Sequence, residues 1–330
     1  MHRWLVIAVV GLVIAAACPA RADELSDRMA LWEAKALLCN PGAGAVPFPS
    51  KQTNDTAQPC DDGDMTLFNG LLCAAGDERG CQAVVDAQDP ATGEWFRSPR
   101  RRLHQGDFSG ASFSPDMALG LQLYLITKKD AARAHKWLLW MDQHVACSIE
   151  AFGVCLLRAL PRFCTNDAPD AGCTLRPGDA AMLAATVNYL ERNASMPALP
   201  DGRLRGYLGS FSGYGPAITE LDAMLNKPGY SQHLVAVGIM AMRAMGQTDT
   251  RIQDAAHTLA QREPNNAFFA WLDEGNTGPV HDQVLARCPA PATILKQPLN
   301  QWQWERADAD HAWESSCYWD CVFMARLIRQ

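Results

Sequence analysis

Residues 60–125 read CDDGDMTLFNGLLCAAGDERGCQAVVDAQDPATGEWFRSPRRRLHQGDFSGASFSPDMALGLQLYL. Two helical patterns inside this stretch begin in the same way, with an aspartate in or just before the first turn. Asp64 precedes the apolar run that starts at Met65, and Asp116 follows Ser114-Pro115 at the start of the second run. Aspartate is favoured at helix N-termini, where it accepts free backbone N–H groups and meets the positive end of the dipole. The stretch therefore predicts two helices with acids at corresponding ends.

Helix capping alone would account for these aspartates, and that interpretation stays open. Three features favour a functional role instead. The acids at positions 61, 62 and 64 exceed what one cap requires, and Ser114-Pro115 can start the second helix without Asp116. The loop at residues 94–112 is also long, basic and aromatic, and long ordered loops tend to be functional.

Helical periodicity continues through most of the remaining chain, mostly in pairs joined by short turns. The sequence shows no convincing strand alternation and no fixed repeat, while residues 147–177 look irregular and 206–216 read as a glycine and aromatic loop. We expect an all-α fold, specifically an (α/α)6 toroid of antiparallel helical hairpins with disulfide-tied loops. Residues 23–330 are expected to form this single domain. Helices are predicted at 23–38, 64–75, 80–88, 116–127, 130–145, 179–193, 217–226, 231–245, 249–262, 266–273 and from 319 onward.

The first 22 residues have the pattern of a cleaved signal peptide. A short basic start precedes an apolar run at residues 4–17, and Ala20-Arg21-Ala22 offers a small-x-small cleavage site. We therefore expect a periplasmic or secreted protein without a stable membrane span. Lipid attachment at Cys18 is the alternative, although the large apolar residue usual three positions earlier is missing.

The cysteines agree with export, because 11 of the 12 follow position 22 and many stand in near pairs. In an oxidising compartment such pairs predict disulfides, and an odd count leaves one free thiol. Two cysteines four residues apart on one helix are poorly placed to pair with each other, so Cys317 or Cys321 is expected to pair with Cys288. The expected near pairs are Cys73–Cys81, Cys147–Cys155 and Cys164–Cys173.

The net charge of -7 argues against nucleic acid as a partner, since phosphate binding favours a basic face. The sequence contains no GxGxxG, P-loop, GxSxG or HExxH motif, and its cysteines lack zinc-like spacing. No cofactor and no metal are therefore implied.

The helix count and the motifs DDGDMTLFNG, with Asp64, and SFSPDMALG, with Asp116, resemble those of six-hairpin (α/α)6 carbohydrate-active enzymes. The unsaturated glucuronyl hydrolase group is the nearest of these, since its members also carry two key aspartates near helix starts on neighbouring hairpins. The resemblance implies a glycoside hydrolase that acts on an oligo- or polysaccharide, with Asp64 and Asp116 as its catalytic pair.

Glycoside hydrolysis uses two carboxyl groups across the scissile bond, one of which must keep its proton near neutral pH. A nearby carboxylate such as that of Asp62 would raise the pKa of the acid by like-charge repulsion. Arginines of the 94–112 loop, in particular Arg97 and Arg100, would hold an acidic sugar, because guanidinium matches carboxylate in a bidentate way. A solvated basic loop is the alternative for these arginines.

Further substrate contacts are expected from aromatic platforms and polar groups. These candidates are Trp95, Tyr207 and Tyr214 as platforms, His104 in the basic loop, and Asp320 as a third acid. Two other functions remain open. A polysaccharide lyase on the same fold would use a Tyr or His base, for which the candidates are His104, His233, Tyr207 and Tyr214. A non-catalytic helical module would bind a glycan or protein and would not need Asp64 and Asp116 to face a common cavity.

Overall fold

The computed structural model describes residues 18–42, 44–103, 113–165, 171–307 and 309–330. Within these ranges the protein is mostly helical, which confirms the all-α prediction. The α-helices are α1 (Cys18–Lys35), α2 (Met65–Ala74), α3 (Glu78–Asp86), α4 (Pro99–Arg102), α5 (Pro115–Lys128), α6 (Ala131–Gln143), α7 (Pro177–Asn193), α8 (Arg203–Phe211), α9 (Gly215–Leu225), α10 (Tyr230–Ala244), α11 (Thr250–Arg262), α12 (Ala267–Glu274), α13 (Gly278–Arg287), α14 (Ala309–Ala312) and α15 (Trp319–Arg329).

The helices that carry the two aspartates begin as the sequence predicts. Ser114 is the N-cap of α5 and Pro115 its first residue, a position where proline loses no hydrogen bond. Asp64 is the N-cap residue of α2, but its side chain makes no capping hydrogen bond. The capping interpretation therefore does not account for the carboxylate of Asp64.

A close helix contact brings the ends of α2 and α5 together. Gly70 of α2 lies against Gly120 of α5, and Gly120 in turn lies against the backbone of Leu67. Glycine permits this approach because it has no Cβ to separate the two backbones. Asp64, just before α2, and Asp116, in the first turn of α5, consequently lie on the same side of the helix pair.

The helix contacts form two closed circuits. In the first, α2 contacts α5, α5 contacts α10, α10 contacts α12, α12 contacts α15, and α15 returns to α2. In the second, α5 contacts α7, α7 contacts α9, and α9 contacts α10, which closes on α5. The core between the helices contains large buried aromatic side chains, among them Trp32, Trp137, Trp302, Trp304 and Trp319.

Residues 147–177, predicted to be irregular, contain a β-hairpin. Strand β3 (Cys147–Ala151) pairs antiparallel with β4 (Val154–Arg158), with Cys147 opposite Arg158 and Ala151 opposite Val154. The two turn residues, Phe152 and Gly153, have positive φ, as in the turns that suit two-residue hairpins. Most side chains of both strands are exposed, so the sequence lacks the inside–outside alternation that marks a half-buried strand. A second, shorter pair joins β1 (Leu38–Cys39) to β2 (Phe48–Pro49).

The prediction of a loop at 206–216 holds only for the turn at 212–214, and the other residues are helical. These residues form most of α8 and the start of α9. Gly206 and Gly209 lie on α8, where an interior glycine costs roughly 1 kcal/mol relative to alanine. Leu204 and Leu208 are buried from the same helix. Burial of a leucine side chain contributes about 1.5–3 kcal/mol, which outweighs the poor local propensity.

The predicted cysteine pairs are confirmed. Disulfides join Cys73 to Cys81, Cys147 to Cys155, Cys164 to Cys173, and Cys288 to Cys321. A further bridge joins Cys39 to Cys60, and Cys317 is a buried free thiol. Five disulfides among the described residues indicate an oxidising compartment.

The predicted signal peptide lies largely outside the described residues, which begin at position 18 within α1. Among the helices that are described, none is long and apolar enough to cross a membrane.

Candidate functional site

Asp64 and Asp116 belong to one polar network. Arg97 Nη1 lies 3.3 Å from Asp64 Oδ1, and Arg97 Nη2 donates to Ser114 Oγ at 2.9 Å. Ser114 Oγ donates in turn to Asp116 Oδ1, and the Tyr230 hydroxyl donates to the other oxygen of Asp116. With the backbone N–H of Met117, Asp116 thus accepts three hydrogen bonds.

Arg97 is positioned by α2 itself. The N–H of Thr66 donates to the carbonyl of Arg97 at 2.9 Å, and its hydroxyl donates to the carbonyl of Phe96 at 2.7 Å. Arg97 Nη1 also donates to the carbonyl of Gly63 at 2.9 Å. The arginine predicted to bind substrate is therefore fixed beside Asp64, and its guanidinium reaches Asp116 only through the hydroxyl of Ser114.

An open cavity of about 450 Å³ lies between α5, α7, α9 and α10. Asp116 is at this cavity, together with two further carboxylates, Asp179 of α7 and Asp222 of α9. Its volume falls in the range of small-molecule binding sites. Apolar side chains and glycines form much of the remaining wall. The lining residues are Pro115, Asp116, Leu119, Gln122, Arg176, Gly178, Asp179, Met182, Gly215, Ile218, Thr219, Asp222, Asn226, Ser231, Leu234, Val235, Gly238 and Met242.

Sequence reasoning missed Asp179 and Asp222. Asp179 follows Pro177-Gly178 in the first turn of α7, so its helix starts with a proline and then an aspartate, as α5 does. That repeated helix start was the available signal. Asp222 lies inside α9 with no distinguishing motif, and only the packing of α9 against α7 and α10 places it at the cavity.

The environment of Asp179 raises its pKa to about 6. Burial is the main cause, and the like charges of Asp116 and Asp222 raise the pKa further. The backbone N–H of Arg176, which donates to Asp179 at 3.1 Å, lowers it. Burial likewise raises the pKa of Asp222. Asp179 is therefore about half protonated near pH 6 and keeps a minor protonated fraction at pH 7, next to a carboxylate that accepts three hydrogen bonds.

Asp64 differs from the sequence prediction in how its pKa is perturbed. Burial raises this pKa, and the like charges that contribute are Asp116 and Asp61, opposed by Lys51 and Arg97. Asp62 does not play the expected part. Its carboxylate accepts from Ser98 Oγ at 2.8 Å and lies 3.5 Å from Arg100 Nη1.

Asp62 and Arg100 therefore form an ion pair that helps to position α4. Ser98 is the N-cap of that helix, and the Nε of Arg101 donates to the carbonyl of Asp62. The side chains of both Asp62 and Arg100 are largely buried. Their role as substrate contacts stays a prediction that this arrangement does not support, because each side chain already holds its counter-charge inside the protein.

Lys51, a buried lysine that sequence reasoning did not single out, lies beside Asp64. Lys51 Nζ lies 3.7 Å from Glu305, 3.8 Å from Asp64 and 3.9 Å from Asp61. Lys51, Asp64, His233 and Glu305 also line a small cavity of about 10 Å³. This volume is about that of one water molecule, so the cavity admits no substrate.

The other predicted contacts fall in different places. Trp95 is 2% exposed and packs near Tyr124, and Asp320 is fully buried, where it accepts from Ser316 Oγ and the N–H of Gln303. Neither side chain is accessible in this structure, so their placement does not support the predicted substrate contacts. They were expected to be accessible because loops and helix starts usually lie at the surface.

Two tyrosines remain near the cavity. Tyr207 donates to the carbonyl of Leu175 at 2.9 Å, and its pKa is raised by burial and then by the charge of Asp179. Tyr214 is 59% exposed and directly precedes Gly215 of the cavity wall. His104 lies outside the described residues. His233, a lyase candidate, is almost fully buried.

The described part of the chain contains no group of three His, Cys, Asp or Glu side chains arranged to hold a metal ion.

We expect Asp179→Asn to raise the free energy of unfolding at pH 7.5 by on the order of 1–3 kcal/mol. The folded-state pKa of about 6 exceeds the unfolded value of 3.8, so wild-type stability is lost as the pH rises through this interval. Asparagine removes that cost, and the gain should vanish below about pH 4. Urea unfolding between pH 4 and 7.5 measures it.

Asp249→Asn is the matched control for this prediction. Asp249 is the N-cap of α11, and hydrogen bonds from Arg251 lower its pKa to about 2. The ionised Asp249 stabilises the fold above its unfolded-state pKa, and this stabilisation is lost as the pH falls through the folded-state pKa. Asp249→Asn should therefore be less stable than wild type at pH 7.5. A loss of stability in both variants would contradict the prediction for Asp179.

Compared with known proteins, the chain matches no family model, no curated protein and no solved structure.

Proposed function

We propose that the protein is an exported glycoside hydrolase of the (α/α)6 type, in which Asp179 and Asp116 form the acid and base pair. The observation that carries this proposal is the placement of both carboxyl groups at one open cavity, with the pKa of Asp179 raised to about 6. Carboxyl groups whose environments differ in this way are the usual basis for assigning acid and base. The disulfides and the expected signal peptide support export.

The reaction uses each carboxyl group once. Protonated Asp179 gives its proton to the glycosidic oxygen as the bond from that oxygen to the anomeric carbon breaks. Ionised Asp116 takes a proton from a water molecule, whose oxygen forms the new bond to the anomeric carbon. One water is consumed, a hydroxyl appears on each sugar fragment, and proton exchange with solvent restores both aspartates.

Asp64 acts as a positioning residue in this scheme. Asp64 accepts a hydrogen bond from Arg97, and Arg97 donates a second one to Ser114. The hydroxyl of Ser114 in turn donates to Asp116. Tyr230 fixes the other oxygen of Asp116. Exposed Tyr214 stands next to the cavity wall as a platform on which a sugar ring can stack. The sequence-based pair of Asp64 and Asp116 is the direct competitor of this assignment.

The test is reducing-sugar release from a panel of neutral, amino and acidic polysaccharides by wild type and by Asp116→Asn, Asp179→Asn and Asp64→Asn. Acid–base catalysis contributes about 10²–10⁴-fold, so the first two variants should each lose at least about 100-fold in kcat. Asp64→Asn should lose about tenfold, as expected for a loss of orientation alone. The alkaline limb of the pH profile, set by the proton on Asp179, should disappear in Asp179→Asn and move to lower pH in Asp116→Asn, because the charge of Asp116 helps to raise the pKa of Asp179.

Asp254→Asn serves as the control, because Asp254 is an exposed acid on α11. Loss of activity in Asp64→Asn and Asp116→Asn with full activity in Asp179→Asn would transfer the acid role to Asp64. New absorbance from an unsaturated uronate in the same wells would identify a lyase. A panel without turnover would contradict the hydrolase and favour a glycan-binding module.

A further inference from the structure

The charges at the cavity are unevenly divided. Among the described residues that line it, three carboxylates, those of Asp116, Asp179 and Asp222, face a single guanidinium, that of Arg176. Even with Asp179 protonated, the lining keeps a net negative charge. A cavity of this kind repels an anionic ligand and attracts a cationic one, because partial burial weakens screening by solvent.

The arginines that were expected to bind an acidic sugar are engaged elsewhere. Arg97 donates to Gly63, Asp64 and Ser114, Arg100 pairs with Asp62, and Arg102 Nε donates to the carbonyl of Asp86. A uronate carboxylate would therefore have to displace existing contacts. The described residues offer it only Arg176 at the cavity itself.

Asp222 is the carboxylate without an assigned task. Within the part of the chain that the structure describes, its side chain has no hydrogen-bond or ion-pair partner, although it is partly buried at the cavity wall. A carboxylate withdrawn from water without a donor costs free energy that a bound donor would recover. Asp116 and Asp179, in contrast, both accept hydrogen bonds from the protein.

We propose that Asp222 binds a protonated amino group of the substrate, so that the preferred substrate is a glycan of amino sugars with free amines. This inference rests on the proposed function for its choice of a sugar. The ammonium donates to the Asp222 carboxylate, while Ile218 of α9 and Leu234 of α10 contact the apolar face of the ring. N-acetylation removes the charge and enlarges the group, so the acetylated sugar loses this contact.

The test is a pair of probes that share one backbone, the β-1,4-linked tetramers of glucosamine and of N-acetylglucosamine. Their affinities are compared by calorimetry near pH 6 with wild type, Asp222→Asn, Asp222→Glu and the control Asp254→Asn. Wild type should bind the glucosamine tetramer about tenfold more tightly, as one charge-assisted hydrogen bond allows. Asp222→Asn should reduce this preference to near one and leave binding of the acetylated tetramer unchanged.

Asp222→Glu should retain part of the preference, and Asp254→Asn all of it. Equal affinities in wild type, or an undiminished preference in Asp222→Asn, would overturn the proposal. Tight binding of the glucosamine tetramer without cleavage would keep the amine site and reject the hydrolase. If the protein cleaved neutral or acidic glycans and Asp222→Asn did not change that cleavage, the hydrolase would be kept and the amine site rejected.

Discussion

Lys51→Met should lower the free energy of unfolding at pH 7 by about 3–5 kcal/mol. The Lys51 side chain is 7% exposed, and its ammonium lies within 4 Å of Glu305, Asp64 and Asp61. Burial alone would lower the pKa of Lys51, but Glu305, Asp61 and Asp64 outweigh it and raise the pKa above its ordinary range. Removal of the ammonium leaves these carboxylates repelling one another, and that of Glu305 is largely buried.

The pH dependence follows from the same charges. Burial raises the pKa of Glu305 and of Asp64 while Lys51 opposes the shift, so loss of Lys51 raises both values further. A carboxyl group with a raised folded-state pKa destabilises the fold more as the pH increases through that pKa. The deficit of Lys51→Met should therefore be largest at pH 7 and shrink toward pH 4. Urea unfolding at several pH values measures this trend.

Lys128→Met is the matched control, because Lys128 pairs with Glu78 at the surface. An exposed pair is worth about 0–1 kcal/mol, so this variant should stay near wild type. Glu305→Gln introduced into Lys51→Met should restore part of the lost stability. Equal losses in the two lysine variants would show that Lys51 is not an essential counter-charge.

The acidic run before α2 shows what sequence reasoning can and cannot reach. The sequence shows more acids before α2 than one helix cap requires, and in the structure the three side chains make three different sets of contacts. Asp61 accepts the N–H of Gly63, Asp62 holds Ser98 and Arg100, and Asp64 faces Arg97 and Lys51. The sequence could not distribute these tasks, because each partner other than Gly63 comes from a distant segment.

Local signals were the dependable part of the prediction. Helix starts at Ser114-Pro115 and the near cysteine pairs depend on neighbours in the chain, and both are confirmed. Asp222 carries no local mark, since it becomes a cavity residue only through the packing of α9 against α7 and α10. Trp95 is the opposite case: its loop position suggested an exposed side chain, but the side chain is buried, because a loop position says little about whether a large aromatic side chain turns inward.

Gly120→Ala should destabilise the fold by about 3 kcal/mol, at the upper end of the usual cost of overpacking. An alanine Cβ at this position would lie 2.3 Å from Leu67 Cα and 2.9 Å from the carbonyl oxygens of Leu67 and Thr66. These neighbours are backbone atoms of α2, so no side-chain rotation relieves the clash and the helices must separate. Gly70→Ala meets the carbonyl oxygen of Gly120 at 2.2 Å and should behave in the same way.

The matched control is Gly206→Ala on α8, where a Cβ meets nothing within 4 Å. Alanine favours a helix over glycine by about 0.5–1 kcal/mol, so this variant should be as stable as wild type or more stable. Thermal and urea unfolding of the three variants give the comparison. If Gly120→Ala matched Gly206→Ala, the two helices would not be held at the separation that the glycines permit.

Separation of α2 and α5 also has a consequence at the site. Asp64 precedes α2, whereas Ser114 and Asp116 stand at the start of α5, and Arg97 spans the gap between them. A wider gap breaks the chain from Asp64 to Asp116, so folded Gly120→Ala should lose activity in the manner of Asp64→Asn. If folded Gly120→Ala kept full activity while Asp64→Asn lost it, Asp64 would act on the substrate directly and not by orienting Asp116. The glycine contact in the core would then serve stability alone.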